Sequence, residues 1–69
     1  MDARLLKYFI KRNGDTHLQL VEALGINEST LYRKFRHQPG FTQKEIKIII
    51  ERYQLSPENV MKIFFGEEK

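Results

Sequence analysis

The chain has 69 residues, with 12 Lys and Arg against nine Asp and Glu, a formal net charge of +3 and no Cys. This length predicts a single domain, residues 1–69, whose folding buries only about 60% of the chain's surface, so marginal stability is expected. Because the chain has no Cys, disulfides cannot add stability, and oligomerisation is the expected alternative. The sequence has no long apolar run and no signal-like start, which predicts a cytoplasmic protein outside the membrane.

The first predicted helix covers residues 2–12 and is amphipathic. Its apolar side is formed by Leu5, Leu6, Phe9 and Ile10. Its basic residues lie elsewhere on the helix and are Arg4, Lys7, Lys11 and Arg12. The pair Asn13-Gly14 is a typical stop signal, so the helix is expected to end there and to bury its apolar side against the rest of the domain.

A second helix is predicted to begin at Thr16 and to end at Gly25. The Thr16 hydroxyl can accept from the backbone N–H three residues on while Gln19 reaches back, which is a capping box, and Asp15 is a rival cap. Glycine adopts the left-handed conformation that ends a helix without a Cβ clash. The apolar residues that recur at helical spacing are Leu20, Val21 and Leu24.

A third helix follows at once, because Asn27 is a strong N-cap directly after the turn at 25–27. Leu31 and Phe35 lie four residues apart and are expected to point back at the second helix, so that the two helices pack across the turn. The residues left on the outer side are polar or cationic: Glu28, Ser29, Tyr32, Arg33 and Arg36.

Two further capped helices complete the chain. Thr42 and Glu45 form a capping box that predicts a fourth helix running to about Tyr53. The Ser-Pro pair at 56–57 supplies an N-cap and a first-turn proline for a fifth helix that ends near Gly66. The sequence therefore predicts an all-α, compact five-helix bundle without strands.

Cationic side chains cluster around the third helix and the segment after it, whereas the C-terminus is acidic. The cluster consists of Arg33, Lys34, Arg36, Lys44 and Lys47. One-sided positive charge suits contact with phosphates, because each neutralised phosphate releases counterions. A basic face kept only for solubility is the alternative. Since an α-helix fits the major groove of B-DNA, where Arg binds guanine bidentately, the helix pair favours DNA recognition.

Residues 24–34, LGINESTLYRK, resemble the turn and recognition helix of the Cro and phage-repressor type helix-turn-helix family. Small Cro-like regulators of Gram-positive phages and prophages are most similar, with a capped fourth helix after a Phe-Thr pair and a tail like Ile63-Phe64-Phe65. The resemblance implies a lambda-repressor-like DNA-binding domain in which helices 2 and 3 form the helix-turn-helix. It also implies a transcription regulator that binds double-stranded DNA.

Residue roles follow from the same resemblance. Glu28, Ser29, Tyr32, Arg33 and Arg36 match family positions that face bases or the groove, with Arg33 as the first choice for direct readout. The alternative for Arg33 is a solvated charge or a pair with Glu28 or Glu22. Glu28 can accept from cytosine N4, orient Arg33 or complement the helix dipole, and the last two roles are favoured because nearby phosphates repel it.

A second set of residues is predicted to contact phosphates and so to position the protein without specifying sequence. It consists of Thr16, His17, Lys34, His37, Gln43 and Lys44. Three positions depart from the family pattern. Val21 replaces a small residue, His17 replaces a phosphate-binding polar residue, often Gln, and Lys34 replaces an apolar residue, so that Phe35 is expected to make the core contact instead.

The implied mechanism is that a homodimer occupies a near-palindromic operator, with its two recognition helices about 34 Å apart. The dimer can form in solution or only on DNA. Binding at such a site would block or redirect polymerase at an overlapping promoter, so the sequence leaves repression and activation both open. The candidate dimer surface on the fifth helix is Met61, Phe64 and Phe65, although Phe64 can instead close the core of the monomer.

Other classes of function are less well supported. The main rival is a small helical module that binds a partner protein through the outer side of helix 3 or through the Phe64-Phe65 tail. RNA binding ranks third, because stacking aromatics other than Tyr32 are lacking. An enzyme is not expected, since no phosphate loop, thiolate or metal motif is present and His17 and His37 lie in different settings, so neither cofactor nor metal is predicted.

Overall fold

The computed structural model describes residues 1–36 and 40–66. Over these two ranges the chain is all-helical and contains no strand, as predicted. The helices are α1 (Ala3–Arg12), α2 (His17–Leu24), α3 (Glu28–Phe35), α4 (Gln43–Tyr53) and α5, which begins as an α-helix (Pro57–Val60) and continues as a wider π-helix (Met61–Phe65). The predicted order of five helices is confirmed, and the change to π-helical geometry in α5 was not predicted.

All five helices begin at a side-chain cap: Asp2 accepts from the Leu5 N–H at 3.1 Å at the start of α1, and the other four caps were predicted from the sequence. The predicted N-caps Thr16, Asn27, Thr42 and Ser56 each accept a hydrogen bond from the backbone N–H three residues on, at 2.8–3.2 Å. At Thr42 the predicted capping box is complete, because Glu45 also accepts from the Thr42 N–H at 2.9 Å. At Thr16 the return bond from Gln19 is not found among the described residues. These local bonds satisfy donors that a helix start leaves unpaired.

Each of the five helices contributes one fully buried side chain to a single core. These are Leu6, Leu20, Leu31, Ile49 and Ile63. The backbone N–H of Asp2 donates to the Ile63 carbonyl at 2.8 Å, which ties the start of α1 to α5. Bringing together residues so distant in sequence gives a compact bundle of 28 × 25 × 20 Å.

Phe64 belongs to this core, which corrects its assignment to the candidate dimer surface. Its side chain is buried, and its ring meets the edge of the Phe41 ring with centroids 6.0 Å apart. Met61 and Phe65, on the same helix, are 58% and 59% exposed. Of the three residues predicted for the dimer surface, Met61 and Phe65 therefore remain exposed to a second molecule. Within the described ranges, no helix has the length and apolar character needed to cross a membrane.

Two helices end on residues in the left-handed conformation. Gly25 ends α2 with a φ of 74°, as predicted, and nothing lies within 4 Å of the position that a Cβ would take there. Gln54 ends α4 with a φ of 50° although it carries a Cβ. A non-glycine residue in this conformation costs about 1 kcal/mol.

Gln54→Gly is therefore expected to raise the free energy of unfolding by about 0.5 kcal/mol, because relief of the backbone strain exceeds the added entropy of the unfolded chain. Gly25→Ala is the matched control and should lower it by about 1 kcal/mol, since the open space leaves only the backbone cost. Urea unfolding followed by circular dichroism measures both. A lower urea midpoint for Gln54→Gly would show that its side chain makes a compensating contact.

Candidate functional site

Helix α3 is fixed to α2 by a tight turn and by one buried side. After Gly25 ends α2, the N–H of Ile26 donates to the Val21 carbonyl at 3.0 Å, and Asn27 caps the next helix without an intervening loop. Leu31 is fully buried in the core, as predicted. The turn and this anchor together determine which side of α3 faces solvent.

The opposite side of α3 is open to solvent along its whole length. All five residues predicted to form it are exposed: Glu28, Ser29, Tyr32, Arg33 and Arg36. We call this set the α3 face. The Arg33 guanidinium is 3.4 Å from the Thr30 hydroxyl, and no described carboxylate lies within ion-pair distance of it. An ion pair of Arg33 with Glu22 or Glu28, which was the alternative to an Arg33 that contacts bases, is not found.

Lys34 lies on the buried side of α3, which corrects its assignment to the phosphate-contacting set. It is 6% exposed, and its ammonium is 2.9 Å from the Glu45 carboxylate and 3.5 Å from the Gly40 carbonyl. The ammonium also lies 5.9 Å from the centre of the Phe41 ring. A cation enclosed in this way is not available to a phosphate. Lys34 instead joins α3 to the start of α4.

The environment of Glu45 favours its charged form. Burial disfavours ionisation, but the hydrogen bond from the Thr42 backbone and the charge and hydrogen bond of Lys34 outweigh it, so the pKa of Glu45 lies below its usual value. One carboxylate therefore closes the cap of α4 and neutralises the cation from α3. This double use makes the pair a fixed connection between the exposed helix and its neighbour.

An aromatic cluster connects the α3 face to the core. His17 at the start of α2 meets both Tyr32 and Phe35 with ring centroids 5.7 Å apart, and its Nδ1 is 3.4 Å from the Tyr32 hydroxyl. Phe35 is half-buried and continues to Phe41 at 6.3 Å. It packs against the core, as expected, although Lys34 is the more deeply buried of the two. The cluster restricts where the Tyr32 ring can lie.

Lys7 of α1 also contacts this cluster. Its ammonium lies 5.2 Å from the centre of the Phe35 ring, so α1 brings a cation beside α3. Lys7 was not among the site residues predicted from the sequence. The available signal was the spacing of Arg4, Lys7 and Lys11, which places three cations along one side of α1 without a compensating acid.

The other predicted phosphate contacts differ in their surroundings. Thr16 is exposed, although its hydroxyl oxygen accepts the capping bond of α2. His17 is half-buried in the aromatic cluster. Gln43 and Lys44 are exposed in the first turn of α4. His37 lies outside the described residues, so the structure gives no position for it.

A network of polar side chains links the residue just before α2 to the end of α4, and it was not predicted from the sequence. Arg52 donates to both oxygens of the Asp15 carboxylate, at 2.7 and 3.1 Å, and the Tyr53 hydroxyl donates to the same carboxylate at 2.6 Å. The hydrogen bonds from Arg52 lower the pKa of Asp15 to about 2, and hydrogen bonds from Tyr53 and the Thr16 backbone act in the same direction. Burial opposes this shift with a smaller effect. Asp15, the rival cap of α2, therefore joins α2 to α4.

Burial and the hydrogen bond to Asp15 raise the pKa of Tyr53, and the same carboxylate raises that of Arg52. An open cavity of about 380 Å³ lies next to this network. Its lining is formed by Asn13, Gly14, Asp15, Gln19, Arg52 and Tyr53. The charged groups of the lining bind each other, and the described residues include no group of three His, Asp or Glu that could hold a metal ion. The network is a structural connection between helices.

Comparison of the chain with models of known protein families, with curated proteins and with solved structures finds no match. The functional assignment therefore depends on the surfaces of the molecule itself. Of these, the α3 face has a distinctive combination of features: it is polar and cationic, its residues are exposed, and the other side of its helix is fixed in the core.

Proposed function

We propose that this protein is a sequence-specific transcription regulator of the Cro and phage-repressor type, which binds double-stranded DNA with α3 in the major groove. The observation that carries the proposal is the division of α3 into two sides. Leu31 and Lys34 are buried, while every residue of the α3 face is exposed. A helix held in this way presents its side chains to base edges at low entropic cost.

Within this proposal Arg33 and Arg36 supply guanidinium groups that can bind guanine O6 and N7, and Ser29 can donate or accept at several bases. The contact of His17 with Tyr32 restricts the Tyr32 ring, which suits a contact with a thymine methyl or a phosphate. Glu28 lies in the first turn of α3, where a carboxylate complements the helix dipole.

Phosphate contacts would come from the elements on either side of α3. Thr16 and His17 lie at the start of α2, and Gln43 and Lys44 lie at the start of α4. Such contacts fix the orientation of the protein on the duplex without reading sequence. Lys34 takes no part because its ammonium is bound to Glu45.

A homodimer would double this footprint. Met61 and Phe65 are exposed apolar side chains of α5, separated from the α3 face in sequence, and they are the surface we propose for self-association. A two-fold symmetric dimer binds half-sites about one helical turn apart, so the expected operator is a near-palindrome. Occupancy of such a site over a promoter would block polymerase.

Selection of bound duplexes from a random DNA pool tests the proposal. A recovered near-palindrome with half-sites about 10 base pairs apart is the expected result, with affinity that falls steeply as salt is raised. Met61, Phe65 and the 59% exposed Leu18 favour a second candidate, a module that binds a partner protein through apolar contacts. DNA binding that is absent or insensitive to salt would favour that candidate and refute the proposal.

Arg33→Ala should reduce discrimination at one base pair of each half-site by about 1.5 kcal/mol, because the bidentate contact to that base is lost. Binding of the selected site and of single-base variants of it measures the effect. Arg12→Ala on α1 is the control, since it removes one exposed charge away from the α3 face. Equal weakening on all duplexes would contradict base readout by Arg33.

A further inference from the structure

A second cationic surface lies on α1, next to the α3 face. Arg4, Lys7 and Lys11 are exposed, and no described carboxylate lies within ion-pair distance of any of them. Successive residues of a helix are about 100° apart, so positions 4, 7 and 11 fall within about 60° of one another. We call these three residues the α1 stripe.

The arrangement of the α1 stripe is unfavourable for an isolated helix. Lys7 and Lys11 are four residues apart and Arg4 and Lys7 three apart, and like charges at these spacings repel. Arg4 also lies in the first turn of α1, where the helix dipole disfavours a cation. The nearest carboxylate in sequence, Asp2, accepts the capping bond from the Leu5 N–H. The stripe therefore carries uncompensated positive charge that an external anion would neutralise.

The contact between Lys7 and Phe35 determines where this charge lies relative to α3. The Lys7 ammonium is 5.2 Å from the centre of the Phe35 ring, which itself meets His17 and Tyr32. Residues from α1, α2 and α3 thus converge on one ring at the edge of the α3 face. A duplex with α3 in its major groove would bring a phosphate backbone to that edge.

We infer that the α1 stripe is a second phosphate-binding surface, which contacts the backbone of the same duplex beside the groove that α3 enters. The inference rests on the proposed function. A polyanion with regularly spaced charges fits a row of three cations better than a single small anion does. The apolar side of α1 is buried in the core through Leu6 and Ile10, so the helix has no free apolar side to insert into a lipid surface.

Each phosphate contact contributes about 0.9 to the slope of log K against log salt. Lys7→Gln should therefore make the slope shallower by about 0.9, so that the loss of affinity between 50 and 200 mM salt becomes about 3.5-fold smaller. The triple variant Arg4→Gln, Lys7→Gln, Lys11→Gln should make the slope shallower by up to about 2.7. The change should be the same on selected and random duplexes, because phosphates carry no sequence information.

Arg12→Gln is the matched control. It removes one charge from the same helix, but Arg12 lies about 140° around α1 from Lys7 and its guanidinium donates to the Tyr8 hydroxyl at 2.9 Å. Its salt slope should equal that of the unmodified protein. All of these positions are exposed, and circular dichroism of each variant verifies that it is folded.

The outcomes separate the inference from the function on which it rests. A steep salt slope that Lys7→Gln and the triple variant leave unchanged would refute the α1 surface and leave DNA binding by α3 intact. Equal effects of Lys7→Gln and Arg12→Gln would assign the effect to net charge and also refute it. If the unmodified protein binds no duplex, both proposals are wrong. Loss of adsorption to phosphatidylserine vesicles without a change on DNA would assign the stripe to membranes instead.

Discussion

Glu45→Ala is expected to lower the free energy of unfolding by about 3 kcal/mol. The substitution leaves the ammonium of Lys34, a residue that is 6% exposed, without its carboxylate partner at 2.9 Å. Removal of one partner from a buried ion pair typically costs about 3–5 kcal/mol. It also removes the acceptor of the Thr42 N–H at the start of α4. We place the effect at the lower end of the range because the Lys34 stem can move its ammonium toward solvent.

A double-mutant cycle separates the charge from the cap. Glu45→Gln keeps an oxygen for the Thr42 N–H and removes the charge, so it should cost less than Glu45→Ala. Lys34→Met combined with Glu45→Gln should recover most of the loss, because a packed apolar group replaces the buried ion. Urea unfolding of the unmodified protein, Lys34→Met, Glu45→Gln and the double variant gives the coupling energy. A cost below about 1 kcal/mol for Glu45→Ala would mean that the pair behaves as a surface ion pair.

This pair illustrates what the sequence could and could not predict. Caps and apolar spacing depend on residues three or four apart, which is why the starts of α2, α3, α4 and α5 and the all-helical class were predicted correctly. Position 34 lies three residues after Leu31 and hence on the buried side of α3, but a lysine there suggested a surface charge. Its partner Glu45 is 11 residues away and belongs to another helix.

In the candidate site too, features that depend on neighbouring residues could be predicted and contacts between distant residues could not. Exposure of the α3 face could be predicted because Leu31 fixes one side of an eight-residue helix and leaves the other free. The approach of Lys7 to Phe35 depends on how α1 packs on α3, over a separation of 28 residues. No local pattern predicts such a contact. The π-helical end of α5 likewise has no identifiable signal in its residues.

The contact between Asp15 and Arg52, 37 residues apart, is another long-range connection, and it makes stability depend on pH. The pKa of Asp15 is about 2 in the folded protein and near 3.8 when the chain is unfolded. Since the folded value is the lower one, the carboxylate stabilises the fold fully above pH 4. This contribution is lost as the pH falls from about 4 to about 2.

Asp15→Asn should therefore lower the free energy of unfolding by about 2 kcal/mol at pH 7. This value is slightly smaller than the free energy that corresponds to the whole pKa shift of Asp15, because Arg52 is one-third exposed and solvent screens the pair. The difference from the unmodified protein should shrink below pH 4 and vanish near pH 2, as urea unfolding at each pH would measure. Subtraction of the two curves removes the titration of the other carboxylates. Tyr53→Phe is the control: it removes one donor but keeps the Arg52 pair, so its pH dependence should persist. Parallel curves for Asp15→Asn and the unmodified protein would mean that the carboxylate is not selectively stabilised in the fold.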